Sequence, residues 1–349
     1  MLKRKTTLVI GAGASAEFDL PVGAGLREMI INCATFDTRF LEGRGKGDMD
    51  LYYAIRSRKD FSVEAQSALK LIERKLYLKT SIDVFLDHNR HTPWLVEVGK
   101  LLIALCIGRA EAGSKIFRAL DRERELLDLR ALKDTWIEYF ARILLDVESP
   151  DDIGKQVTII CFNYDRCIEM YLMMAIAQTF PDVDLQRAHT IVSEMDIIHP
   201  YGTLGLLPSR FRGGADEKHV PFAPEMDRNA WQMIKDLKIF TEREHDAEVL
   251  QRIRHSVAYS DNLIFMGFGF ASQNMELLDT RTITDQAPRK RVYVSGRGIS
   301  PEDEAEVQSR IKGIFARPKM QIGEREPALI LRSATCLDLF QRNFLNFSS

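Results

Sequence analysis

The sequence predicts an α/β fold, a Rossmann-like doubly wound parallel sheet that carries a large helical insertion. Three segments repeat one order, in which a short apolar strand leads into a polar or glycine-rich turn and then into a helix. They begin at Thr6, Val157 and Asn262. Strands that alternate with helices are typical of parallel sheets, whose ligands bind at the carboxyl ends of the strands. Because each polar motif directly follows its strand, we expect the motifs to meet at one edge of the sheet.

The composition is that of a globular enzyme or interaction protein. The 349 residues are 45% hydrophobic and 28% charged, with 48 basic and 50 acidic side chains. This balance removes the electrostatic argument for a dedicated nucleic-acid binder. No apolar run approaches the roughly 20 residues that span a bilayer, so we expect a cytoplasmic protein with no membrane anchor. The five cysteines form no C-x-x-C pair, which favours buried thiols over a disulfide framework or a zinc site.

The first element is a strand at Thr6–Ile10 that runs into the glycine turn Gly11-Ala12-Gly13-Ala14-Ser15. Glycines at this point allow a tight turn and a close approach of the backbone to a pyrophosphate. Ser15 is placed to cap the next helix or to donate to a phosphate. A plain strand-to-helix turn is the alternative, because Phe18 and Asp19 stand where the dehydrogenase fingerprint has its third glycine.

Residues 35–150 are predicted to form the helical insertion, because apolar residues recur there at helical spacing. One such group is Leu69, Ile72 and Leu76, and another runs from Leu129 through Trp136 to Leu144. An amphipathic insertion fits either a lid over the site or an oligomer contact. The sheet domain would then consist of residues 1–34, including a helix at Leu26–Cys33, and residues 151–300.

Two further polar motifs follow strands in the second part of the chain. A strand at Val157–Phe162 leads into Asn163 and Asp165, for which helix capping is the favoured interpretation of this motif alone. Ile197 and Ile198 indicate another strand, which ends at His199. A neutral imidazole at that position could serve as a general base, although an isolated histidine carries little weight.

The last predicted strands are Asn262–Met266, which leads into Gly267-Phe268-Gly269, and Arg291–Val294. The glycines give a backbone that a ribose or phosphate can approach, and simple loop chemistry is the alternative. Residues 206–225 are predicted to form an exposed loop. In the C-terminal segment, 301–349, four apolar residues recur at helical spacing and indicate either packing on the core or an oligomer contact. They are Leu337, Phe340, Phe344 and Phe347.

Four motifs occur together in one order, and their combination resembles the sirtuin-like family. They are GAGAS at 11–15, FNYD at 162–165, HPYG at 199–202 and GFGF at 267–270. Within that family the chain resembles the bacterial branch found in anti-phage defence systems, which the SIDVFL segment at 81–86 and the long insertion also resemble. The resemblance covers roughly residues 5–33, 81–86, 156–205 and 260–296.

The resemblance implies an NAD site with a role for each motif. Asn163 and His199 would act as catalytic residues at the nicotinamide ribose, with His199 as the base, and Asp165 would lie near the nicotinamide pocket. The residues implied to bind the pyrophosphate and the adjacent ribose are Gly11, Ala12, Gly13 and Ser15. Those implied to hold the adenosine ribose are Gly267, Phe268 and Gly269.

Two departures from the protein deacetylases within that resemblance favour hydrolysis. The chain lacks the C-x-x-C pairs of the deacetylase zinc ribbon, and Pro200 follows His199 where deacetylases have glycine. We therefore expect an NAD glycohydrolase that releases nicotinamide and ADP-ribose and depletes NAD as a defence effector, with NAD as substrate and no zinc. The resemblance also implies a homo-oligomer or a partner subunit, such as an ATP-driven translocase or an Argonaute-like protein. The alternatives are a protein deacylase, an ADP-ribosyltransferase, or a non-catalytic nucleotide-binding assembly module.

Overall fold

The computed structural model describes residues 4–37, 45–58, 62–210, 219–225, 230–244, 246–283, 290–315, 328–332 and 335–348. Its strands are β1 (Thr6–Ile10), β2 (Leu120–Asp121), β3 (Leu126–Leu127), β4 (Val157–Cys161), β5 (Asp196–Ile198), β6 (Asn262–Met266), β7 (Arg291–Ser295) and β8 (Ala328–Arg332). Its helices are α1 (Ala12–Ser15), α2 (Gly23–Ala34), α3 (Met49–Arg56), α4 (Ser62–Lys75), α5 (Ile82–His88), α6 (Pro93–Gly113), α7 (Lys115–Ala119), α8 (Trp136–Leu144), α9 (Cys167–Thr179), α10 (Leu185–Glu194), α11 (Ala230–Met233), α12 (Phe240–Glu244), α13 (Ala247–Tyr259), α14 (Ser272–Leu277), α15 (Pro301–Gly313) and α16 (Cys336–Ser348).

Six strands form one parallel sheet in the order β5-β4-β1-β6-β7-β8, and β2 and β3 form a separate two-stranded ribbon. Numbered along the chain within the sheet, this is the 3-2-1-4-5-6 order of doubly wound dinucleotide-binding folds. The predicted α/β class and parallel sheet are therefore confirmed. The order reverses between β1 and β6, where open α/β sheets of this kind bind their ligands.

The sheet is covered on both faces, which explains why its strands are continuous apolar runs. In β1, Val9 contributes to one hydrophobic core, and Leu8 and Ile10 contribute to the other. Helices α2, α4, α5 and α13 pack in the first core, and α8, α9, α10 and α16 pack in the second. Successive side chains of a strand point to opposite faces, so one strand supplies both cores.

The segment predicted as a helical insertion contains α3 to α8 and shares both cores with the sheet. Helix α6 is buried along most of its length, with residues such as Leu101 and Leu105 in the first core and Ala110 in the second. Helix α8 buries Trp136 and Phe140 in the second core. No helix within the described ranges is long and apolar enough to cross a membrane.

The C-terminal helix α16 packs on α8 and β7. Phe340 stacks on Trp136 with ring centroids 6.1 Å apart, and Phe347 meets Tyr293 at 4.9 Å. Phe340 and Phe347 are buried, whereas Leu345 on the same helix is 80% exposed. Helix α16 therefore turns Phe340 and Phe347 toward α8 and the sheet.

The prediction of an exposed loop at 206–225 is wrong at both ends of that segment, where Leu207 and Pro224 are buried. Residues 211–218 lie outside the described residues, but Val220 and Phe222 are buried. The physical reason is a buried arginine, Arg166, which donates hydrogen bonds to the carbonyls of Val220 and Pro221. These bonds satisfy backbone groups that would otherwise need water.

Candidate functional site

The turns that follow the strands lie side by side along the carboxyl edge of the sheet. In spatial order, His199 follows β5, Asn163 lies two residues beyond β4, Gly11 follows β1, and Gly267 follows β6. The sheet thus brings the four sequence motifs into one row. The two glycine turns flank the point where the strand order reverses, and Asn163 and His199 lie on the side of β4 and β5.

The glycine turns after β1 and β6 pack backbone against backbone. Gly11 N–H donates to the Met266 carbonyl and Gly13 N–H to the Gly267 carbonyl, both at 2.9 Å. A Cβ atom on Gly13 would lie 2.7 Å from the Gly267 Cα, and one on Gly267 would lie 2.1 Å from the Ala14 nitrogen. Gly267 also has a φ of +55°, which favours glycine. The close contact between the two turns requires these glycines, whether or not a ligand binds.

Part of this edge remains accessible. Ala12, Gly13 and Gly267 are half-buried, and Gly269 is exposed. A Cβ atom on Gly269 would meet no atom within 4 Å. The N–H groups of Gly11 and Gly13 are already bonded within the protein, so they are not free to bind a phosphate in this arrangement. The accessible surface beside the reversal point consists of the outer backbone of the two turns.

Asn163, Ser15 and Asp165 form a buried hydrogen-bonded cluster next to the first glycine turn. The Asn163 amide donates from Nδ2 to the Gly11 carbonyl at 3.1 Å and to Ser15 Oγ at 2.8 Å. Ser15 Oγ donates in turn to Asp165 Oδ2 at 2.9 Å. The three side chains are 3–7% exposed. Ser15 therefore bridges Asn163 and Asp165 and orients the amide.

The sequence motif favours Asp165 as the N-cap residue of α9, but that residue is Arg166, and the Asp165 side chain still bonds to the first turn of the helix. Its Oδ1 accepts from the backbone N–H of Cys167, the first residue of α9, at 3.2 Å. Burial raises the pKa of Asp165 above its ordinary value, although the hydrogen bond from Ser15 opposes the shift. The carboxyl group thus combines a structural bond with a place in the buried cluster.

His199 is hydrogen-bonded through both ring nitrogens. Nδ1 lies 3.0 Å from the Asn163 carbonyl oxygen, and Nε2 lies 2.6 Å from Glu169 Oε1. A carbonyl can only accept, so Nδ1 carries a proton. If Glu169 is ionised, Nε2 carries one as well and the ring is a cation. Neither ring nitrogen then has a lone pair free to accept a proton, as a general base must.

The charges of this pair support the ionised form. Burial by itself lowers the pKa of His199, but the charge and hydrogen bond of Glu169 together with the neighbouring Cys161 side chain outweigh it and hold that pKa well above the ordinary value. Burial raises the pKa of Glu169, but the charge and hydrogen bond of the His199 ring, a backbone hydrogen bond and the charge of Arg166 together outweigh it and bring that pKa below its ordinary value. The second oxygen, Glu169 Oε2, is buried and has no hydrogen-bond partner in the described part of the chain.

A fully buried ion pair anchors the turn that carries Asn163 and Asp165. The Glu111 carboxylate on α6 accepts from the Arg166 guanidinium at 2.7 and 3.1 Å and from the Arg166 backbone N–H at 3.0 Å. Glu111 is 0% exposed and Arg166 2%. The insertion thereby holds the backbone next to Asp165.

Aromatic residues close the site on its other side. The Tyr164 hydroxyl donates to Asp83 on α5, and the Tyr201 hydroxyl donates to Asn274 Oδ1 at 2.6 Å. The Phe162 ring packs against Phe268 with centroids 5.0 Å apart and against Tyr201 with centroids 6.1 Å apart. The motifs at 162–165, 199–202 and 267–270 are therefore linked to one another by side-chain contacts.

The structure adds Glu169, Glu111 and Arg166 to the residues that the sequence motifs indicate. Glu169 has the sequence position of an ordinary first-turn acid, and only the tertiary structure brings it to His199. The sequence does contain an indication that Arg166 has a partner. This charged residue lies between a buried strand and an apolar helix, where an unpaired charge is costly. Its partner, 55 residues away, is not visible in the sequence.

Two cavities border the sheet, one at each of its edges. One of about 180 Å³ borders His199 and Pro200 and is also lined by Lys238, Asp246 and Arg252. A larger one, of about 510 Å³, lies at the opposite edge of the sheet among residues such as Thr6, Val157 and Ser260. The smaller cavity is the one that reaches a residue of the candidate site.

No group of three or more His, Cys, Asp or Glu side chains in the described ranges is placed to hold a metal ion. No protein-family model, curated protein or solved structure matches the chain.

Proposed function

We propose that the chain is an NAD glycohydrolase, which cleaves the nicotinamide–ribose bond of NAD to give nicotinamide and ADP-ribose. The observation that supports it is the row of turns at the carboxyl edge, in which Asn163 is bonded both to the glycine turn and to His199. A dinucleotide along this row would have its adenosine half beside Gly267 and Gly269 and its nicotinamide ribose beside Asn163.

The reaction needs little more from the protein than geometry, because nicotinamide leaves as a neutral molecule from a cationic ring. Cleavage passes through an oxocarbenium-like state, and water must be placed on the exposed face of the ribose. The Asn163 amide is suited to orient a ribose hydroxyl or that water, because Ser15 and Gly11 hold it in place.

His199 can act as a base only after its Nε2 proton has been lost and its hydrogen bond to Glu169 has opened. With both ring nitrogens bonded, the described arrangement is a resting one with respect to proton abstraction. This fits an effector that must be restrained until it is triggered. We propose that the protein acts in the cytoplasm as an anti-phage effector that depletes NAD, and that a homo-oligomer or a partner subunit controls it.

The decisive experiment is nicotinamide release from NAD by the purified full-length chain, read by chromatography. Asn163→Ala should reduce the rate by about 10²- to 10⁴-fold, the range expected when a positioned catalytic group is lost. Asn346→Ala, at an exposed position of α16, is the matched control and should retain the wild-type rate. His199→Ala should also reduce the rate, and His255→Ala, at an exposed position, is its matched control.

Cellular NAD content provides a second readout for a chain that needs a partner to be active. Expression of the wild type in phage-infected cells should lower the cellular NAD content, and Asn163→Ala should abolish that effect. Equal nicotinamide release by wild type and Asn163→Ala would refute the assignment of the site. Tight NAD binding by calorimetry without turnover in either assay would favour the non-catalytic binding module. Product formed only when an acylated peptide is added would favour the deacylase.

A further inference from the structure

Two thiols outside the candidate site, Cys33 and Cys106, lie side by side between α2 and α6. Their Sγ atoms are 3.9 Å apart. Cys33 is half-buried and Cys106 is fully buried. One thiol of the pair can therefore be reached by a small solute, and the other is shielded behind it.

The sulfur of Cys33 is the acceptor of two donors. The Cys106 thiol donates to it, and Arg109 Nη1 donates from 3.5 Å. Arg109 is held in this position by ion pairs with Asp48 and Asp50. Hydrogen-bond donors and a cation beside one sulfur stabilise its thiolate, which is the reactive form of cysteine.

The two thiols differ in acidity in the direction that this geometry implies. The hydrogen bond from Cys106 is the largest influence and lowers the pKa of Cys33. The charge of Arg109 adds to that effect, while burial and the Asp48 carboxylate oppose it. The same hydrogen bond and burial raise the pKa of Cys106. Burial also raises the pKa values of Cys161, Cys167 and Cys336.

We propose that Cys33 and Cys106 form a peroxide-reactive dithiol, in which Cys33 is the attacking and Cys106 the resolving thiol. The Cys33 thiolate attacks one oxygen of hydrogen peroxide and the O–O bond breaks. Cys33 becomes a sulfenic acid and hydroxide leaves. The Cys106 sulfur then attacks the sulfenic sulfur, an S–S bond forms, and the displaced hydroxide takes the Cys106 proton and leaves as water. The two thiols lose two electrons in total, and the peroxide gains them.

The distance between the sulfurs is compatible with the second step. A disulfide has an S–S length of about 2.05 Å, so the two sulfur atoms have to approach by about 2 Å for the bridge to form. The resulting bridge would join α2, which follows the first glycine turn, to α6, which carries Glu111. The oxidation would thus act on two elements that support the candidate site.

The test is peptide mapping without reduction after the full-length protein has been treated with hydrogen peroxide. We expect a peptide that links Cys33 to Cys106, while Cys161, Cys167 and Cys336 remain thiols. Cys106→Ser should leave a sulfenic acid on Cys33 that dimedone traps. Cys336→Ser is the matched control and should form the same bridge as the wild type.

The rate of the first step tests the role of the cation. Arg109→Met should slow oxidation of Cys33 by threefold or more, since each unit of increase in thiol pKa reduces the thiolate fraction about tenfold near neutral pH. The proposal is overturned if Cys33 in the wild type oxidises no faster than Cys336, or if the bridge joins another pair. All readouts follow thiol chemistry and are independent of NAD cleavage.

Discussion

The buried ion pair between Glu111 and Arg166 gives the sharpest prediction about stability. Replacing Arg166 with Met leaves the Glu111 carboxylate in a fully buried position with two of its four N–H donors, the backbone groups of Arg166 and Ala223. It also removes the donors to the carbonyls of Gly205, Val220 and Pro221. Breaking a buried pair on one side costs about 3–5 kcal/mol. We expect a loss of that size in the free energy of unfolding for Arg166→Met and for Glu111→Leu.

The double variant Glu111→Leu/Arg166→Met removes both charges and should cost much less than the sum of the single losses. A coupling free energy of at least about 2 kcal/mol is expected, because the double variant leaves no unpaired charge buried, whereas each single variant leaves one. Urea unfolding at neutral pH, followed by tryptophan fluorescence, measures all three values. The reasoning is refuted if each single variant loses less than about 1 kcal/mol, or if the losses add within about 0.5 kcal/mol.

An exposed pair supplies the control for this experiment. Arg252 contacts Asp196 at 2.6 Å, but its side chain is 51% exposed. Arg252→Met makes the same chemical change as Arg166→Met and should cost no more than about 1 kcal/mol, the range of surface ion pairs. A larger loss would show that the arginine-to-methionine change is itself destabilising in this fold.

Two other changes at the candidate site have defined outcomes. Gly267→Ala should lower the free energy of unfolding by more than about 2 kcal/mol, because its Cβ would lie 2.1 Å from the Ala14 nitrogen at a positive φ. Gly269→Ala is the control: the space around Gly269 is open, so the free energy of unfolding should change by less than about 1 kcal/mol. Equal losses for the two variants in urea unfolding would contradict this prediction. The pair of His199 and Glu169 should stabilise the protein most between pH 4.5 and 6.5, which are the ordinary pKa values of Glu and His. This stabilisation should be lost as the pH rises through the raised pKa of His199, and also as the pH falls through the lowered pKa of Glu169. Urea midpoints of wild type and His199→Gln should therefore converge at high pH, and a difference that does not vary with pH would contradict the ionised pair.

The sequence by itself determines the fold class and the strand-turn-helix units at Thr6, Val157 and Asn262. The reason is local: each buried strand is a short apolar run, and the glycines or small polar residues of the following turn end that strand. It also determines that the four motifs lie at one edge, because parallel strands all have their carboxyl ends on the same side. The β8 strand and the buried state of Val220 lie beyond such reasoning, since they depend on neighbours distant in the chain.

The tertiary structure alone decided what the motif residues contact. The glycines of the two turns face each other because β1 and β6 are adjacent, and this contact by itself requires glycine at Gly13 and Gly267. His199 has an acid partner because α9 brings Glu169 within 2.6 Å of its ring, across 30 residues of chain. Protonation, burial and hydrogen bonding depend on such long-range neighbours. A linear pattern can therefore indicate which residues form a site, and only the packed chain determines the state in which they are held.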